Sequence, residues 1–152
     1  MSLNRNSKIR WRWLKFMYWY TIIGAGGFGV VMILFPESVR SFFGWPTQDP
    51  IVYGVTSSVW FSFGLLSILG LKDPLKFIPV LLLQLTYKSV WFIGVVLPLL
   101  SSGKFPSYAI LHVIVMASYI VGDLFAIPFS YLFSKNESEN TATVSKKNTK
   151  EI

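Results

Sequence analysis

Between Lys72 and Phe133 the sequence is two long apolar runs joined by a short loop, with Lys88 near the middle of the first and Asp123 near the middle of the second. A charge at bilayer depth costs roughly 2.5 to 3.5 kcal/mol on insertion scales, so two of opposite sign at matching depth call for contact between them. Two further apolar runs precede this pair, and each of the four reaches the roughly 20 residues needed to cross about 30 Å of hydrocarbon. With 53% hydrophobic and 14% charged residues, the chain is far more apolar than a soluble domain. The pattern predicts an all-α integral membrane protein, a four-helix antiparallel bundle with a short outer interfacial helix and a disordered C-terminal tail.

The expected organisation is a basic segment over residues 1–12, a transmembrane domain over 13–133, and a solvated tail over 134–152. The spans fall at about 13–35, 51–71, 75–100 and 107–133. The tail is polar, rich in Asn, Ser, Thr, Lys and Glu, and cannot bury enough surface to order itself. Arg5, Lys8, Arg10, Arg12 and Lys15 precede or open the first span, followed by Trp11, Trp13, Phe16, Tyr18, Trp19 and Tyr20 as an aromatic belt. Eleven Lys and Arg residues flank one side of the spans against Arg40 and Lys104 on the other, which predicts a multi-pass protein of the cytoplasmic membrane with both termini cytoplasmic.

The formal charge of +7 does not point to nucleic acid, because the basic residues are dispersed around apolar segments and form no groove. Cysteine is absent, which excludes disulfides, thiolate metal sites and cysteine nucleophiles. One His and a single acidic residue at depth leave no set with metal-ligand spacing, and no cofactor is implied. No Ser-His-Asp arrangement can be argued while Asp123 has a Lys partner, so the pattern leans away from an enzyme.

Gly24-Ala25-Gly26-Gly27-Phe28-Gly29 matches G-x-G-x-x-G literally, but no β-α-β unit surrounds it. Inside a span such glycines serve close helix approach, with Ala25 and Gly29 as the expected small pair. Val39, Phe42 and Phe43 between Pro36 and Gly44 predict a short amphipathic helix on the outer interface, anchored at headgroup level by Trp45. Ser57, Ser58, Ser62 and Ser67 in the second span bond within their own helix or line a polar cavity. In the turn after it, Asp73 is expected to cap the third span and Pro74 to open it.

Lys88 and Asp123 both lie about 15 to 18 Å from the expected cytoplasmic ends of their helices. Tyr108, His112, Tyr119 and Asp123 share one face of the fourth span, and Gln84, Tyr87, Lys88, Trp91 and Val95 one face of the third. Pro128 predicts a kink beside Asp123. The candidate site for ligand binding or proton relay is therefore Lys88, Asp123, His112, Gln84, Tyr87, Trp91 and Tyr119. A pair that merely sets helix register is the competing account, since a buried ion pair is weak evidence for stability.

A glycine-rich first helix, the Phe42-Phe43-Gly44-Trp45-Pro46 loop and the Leu65-Leu66-Ser67-Ile68-Leu69-Gly70-Leu71 run resemble the DoxX-like group of small bacterial membrane proteins. The resemblance implies a four-span bundle; some members of that group are membrane subunits linked to quinol oxidation, and no motif of this sequence carries that activity over. The leading expectation is a pocket lined by the third and fourth spans that binds an amphipathic quinone-like or lipid-like molecule, with Lys88 and Asp123 as its polar floor. The alternatives are a proton- or ion-coupled carrier working as a homo-oligomer and an accessory subunit whose partner covers the polar face.

Overall fold

The computed structural model describes residues 9–132, so the expected tail and residues 1–8 of the basic segment lie outside the described residues. The described residues form helices and no strand. They divide into one unit of Arg10–Ile127 and another containing Ile9 and residues 128–132. In the first unit α1 is Trp11–Leu34, α2 Pro36–Phe43, α3 Pro50–Lys72, α4 Ile78–Ser101 and α5 Ser107–Ala126. In the second, α6 is the single turn Phe129–Leu132.

Helices α1, α3, α4 and α5, of 24, 23, 24 and 20 residues, are each long and apolar enough to cross a membrane. Their polarity is inverted relative to a soluble protein. Thr21, Ser57, Ser67, Gln84, Lys88 and Asp123 are buried, whereas Ile23, Leu34, Leu83, Val90, Ile93, Ile114 and Phe125 are among the large apolar residues left exposed. An apolar exterior of this extent is at home in hydrocarbon.

Local chemistry sets the helix ends. Asp49 Oδ1 accepts from the backbone N–H groups of Ile51 (2.9 Å) and Val52 (3.0 Å), capping α3 ahead of Pro50. Gly44, at φ 65°, ends α2 in the left-handed region that glycine tolerates. Asp73 closes α3, and α4 begins only at Ile78 with Pro79 in its first turn, so Pro74 lies in the connecting turn and does not open the helix. The expected kink beside Asp123 is absent. Ile127 precedes Pro128 and turns extended at ψ 122°, which ends α5 at Ala126, because a residue before proline is driven out of the helical region.

Helix α1 packs along α3 through missing side chains. A Cβ on Gly26 would lie 2.8 Å from the Gly64 Cα, and one on Gly29 would lie 2.5 Å from Phe61 N and 2.9 Å from Ser57 O. The seam is thus carried by Gly26 and Gly29, where Ala25 and Gly29 were expected. A π-helical turn over Ile22–Gly27 accounts for the change, since a widened turn slips the helical face by one residue. A second such turn at Phe92–Val96 in α4 leaves Val95 44% exposed and buries Val96, removing Val95 from the expected stripe.

Candidate functional site

Three buried polar side chains form a clasp across the interior. Gln84 Nε2 on α4 donates to Asp123 Oδ2 on α5 and to Thr21 Oγ1 on α1, each at 3.2 Å, and the Thr21 hydroxyl in turn donates to Met17 O at 2.8 Å. Ser57 resembles Thr21 in bonding its own helix, its hydroxyl donating to Tyr53 O at 2.6 Å.

The expected Lys88–Asp123 ion pair does not form: among the described residues Lys88 Nζ and Asp123 Oδ1 have no hydrogen-bonding partner, and Asp123 is held by Gln84. Helix register explains the difference. With α4 starting at Ile78 and α5 ending at Ala126, Gln84 lies about 9 Å from its end and Asp123 about 4.5 Å from its own, while Lys88 is about 6 Å farther along α4. A step of four residues forward from Gln84 to Lys88 is matched by a step of four back from Asp123 to Tyr119. Lys88 therefore meets Tyr119, its Nζ 4.1 Å from that ring centroid and 4.7 Å from the Tyr87 centroid. Cation–π contact offsets part of the cost of burying an amine but leaves its donors unused.

That unused amine lines a cavity of about 410 Å³ enclosed by α1, α3, α4 and α5, with Phe43 of α2 at one edge. Its walls include Phe28, Trp60, Tyr87, Met116 and Tyr119, and His112 and Lys88 are its basic groups. Ile23, Val31, Leu111 and Val115 line it as well and are exposed, at 70%, 43%, 51% and 39%, so its mouth lies on the apolar flank between α1 and α5. Tyr119 is seated through glycine. A Cβ on Gly24 would collide with the Tyr119 hydroxyl, which instead donates to Tyr20 O at 3.0 Å, just before the widened turn of α1.

Of the seven sequence candidates, Lys88, His112, Tyr87 and Tyr119 line this cavity, Gln84 and Asp123 form the clasp one turn away, and Trp91 lines a second hollow of about 390 Å³. Trp60, Tyr87, His112 and Met116 face both hollows. The His112 ring stacks on Trp60 (centroids 5.5 Å, planes 21° apart) and meets Trp45 (5.8 Å) and Trp91 (5.5 Å) edge-on. Trp45 is half-buried and packs against Phe28, Phe43 and His112.

The sequence points to α4 and α5 alone and misses Thr21, Gly24, Phe28 and Trp60, contributed by α1 and α3. Trp60, the one tryptophan inside the serine-rich span, is the available signal among them. Among the described residues no three His, Asp or Glu side chains gather as a metal site requires. No protein-family model, curated protein or solved structure matches the chain.

Proposed function

We propose that the chain is an antiparallel four-helix bundle of the cytoplasmic membrane, both termini cytoplasmic, that binds a neutral amphipathic molecule with a carbonyl-type head, quinone-like or lipid-like. The observation that carries this reading is the Lys88 amine, buried and without a hydrogen-bonding partner among the described residues, in the wall of an aromatic cavity. A few convergent polar groups in a mostly apolar hollow is the usual form of a small-molecule site. A head with hydrogen-bond acceptors would satisfy Lys88 Nζ, and planar rings would stack against Phe28, Trp60 and Tyr119.

Charge favours a neutral head. Asp123 already supplies one carboxylate a turn from Lys88, and a carboxylate ligand would add a second negative charge to a low-dielectric interior. The mouth between α1 and α5 suits a ligand that arrives from the hydrocarbon, leaving its tail among Ile23, Val31 and Leu111. Kinship with the DoxX-like group, proposed on the sequence features alone, puts quinones first among the ligands to test.

Thermal unfolding in detergent with a panel of short-chain quinones and lipids tests the proposal. At least one should raise the midpoint of the wild type and fail to raise that of Lys88→Met. A panel in which nothing stabilises the wild type, or in which Lys88→Met responds equally, overturns it.

A further inference from the structure

The two hollows meet at a common wall and open on different surroundings. The first opens on the apolar flank between α1 and α5. The second has Gln48, Thr56, Tyr108 and Ala109 in its lining, of which Gln48 lies in the loop that leads into α3 and Tyr108 in the first turn of α5. Gln48, Thr56 and Tyr108 are exposed, which puts its opening at that polar end. Only Trp60, Tyr87, His112 and Met116 are shared.

The wall is weakly fastened. His112 makes ring contacts with three tryptophans and no hydrogen bond among the described residues, and the Tyr87 hydroxyl faces the Trp60 side chain without a well-formed hydrogen bond among the described residues. Met116 is an unbranched, adaptable side chain. A wall held mainly by ring contacts can turn aside at the cost of dispersion contacts, which an incoming ring would replace, and of the weak Tyr87–Trp60 polar contact.

We propose that the hollows are two halves of one passage, closed by the Trp60–His112 stack, along which a neutral amphipathic molecule moves between the apolar flank and the polar loop end. Lys88, on the flank side of the wall, offers the travelling head a donor before the stack, and His112 offers the next one at it. The choice of molecule rests on the proposed function; the existence of the passage rests on the geometry alone.

The chain has no cysteine, so single cysteines report the passage directly. Ala25→Cys marks the first hollow and Thr56→Cys the second, each labelled in lipid nanodiscs with a charged thiosulfonate that cannot enter hydrocarbon. In the parent, Thr56→Cys should react readily and Ala25→Cys slowly. Adding Trp60→Ala should speed labelling of Ala25→Cys at least about tenfold, equivalent to a barrier lower by about 1.4 kcal/mol, and leave Thr56→Cys unchanged. His112→Ala removes the other half of the stack and should act in the same direction, which guards against a misfolded Trp60 variant.

Equal labelling of both cysteines in the parent, or slow labelling of Ala25→Cys in a folded Trp60→Ala or His112→Ala variant, overturns the passage. A short-chain quinone should protect Ala25→Cys in the opened variants. Opening without protection and without any thermal shift keeps the passage and sinks the ligand assignment, whereas a thermal shift without opening does the reverse.

Discussion

Helices α1 and α3 and helices α4 and α5 are both apolar pairs, yet they are joined by opposite means. Where α1 crosses α3, Gly26 faces Gly64 and Gly29 faces the Phe61 and Ser57 backbone, so the helices touch main chain to main chain. Between α4 and α5 the link is made by side chains, Gln84 to Asp123 and Lys88 over Tyr119. Backbone contact leaves no room for a ligand. The cavity of about 410 Å³ lies beside the side-chain link, where Lys88 over Tyr119 forms part of its wall and α1 and α5 supply most of its lining.

The sharpest way to break this comparison is to fill the tight seam. Gly26→Val places methyl groups against the Gly64 backbone, which cannot yield as a side chain can, and should cost about 3 kcal/mol or abolish folding. Denaturant unfolding in mixed micelles measures it, and a mild effect would mean that the seam is looser than described.

Next in size is the clasp. Asp123→Ala removes the acceptor of Gln84 Nε2 and should cost about 2 kcal/mol, a hydrogen bond to a charged group plus the gap left behind. Gln84→Ala strands the carboxylate and should cost a similar amount, and the two changes together should cost clearly less than their sum. Additive losses would show that Gln84 and Asp123 do not hold one another.

Gly24→Ala probes the boundary between seam and cavity, because it displaces the Tyr119 hydroxyl from Tyr20 O. The loss should be about 1 kcal/mol, the worth of one buried hydrogen bond, since the obstructing atom is the far end of a side chain.

The smallest stability change expected inside the protein is at Lys88. Lys88→Met exchanges an unpartnered amine for an apolar side chain of similar length and should leave stability within about 1 kcal/mol of wild type while abolishing ligand response. A large loss would mean that Lys88 holds the fold together. Glu37→Gln, in the exposed Arg40–Glu37 pair on α2, sets the baseline at below about 0.5 kcal/mol.

Much of the architecture was legible because hydrocarbon allows few solutions. The spans at about 51–71 and 75–100 fall within a few residues of α3 and α4, and the short helix beginning at Pro36 is present as α2. The α5 end was missed by seven residues because a proline that could kink a helix ended it instead. The polar residues singled out on α4 and α5 do gather in the interior, as their shared helical faces imply. The pairing among them was misjudged because Lys88 and Asp123 were placed at equal depth from helix ends that lie elsewhere.

Taken alone, the sequence determined that this chain is helical and membrane-embedded, and that its few intramembrane polar groups turn inward. The reason is solvation: hydrocarbon tolerates neither free backbone groups nor exposed charge, whatever the packing. Which polar group meets which was decided only in three dimensions. One extra residue in a π-turn rotates a face by about 100°, and a helix start displaced by three residues shifts depth by about 4.5 Å. Neither displacement leaves a mark in the hydrophobic pattern: the first moves the glycine seam, and the second separates an ion pair from a clasp beside an open amine.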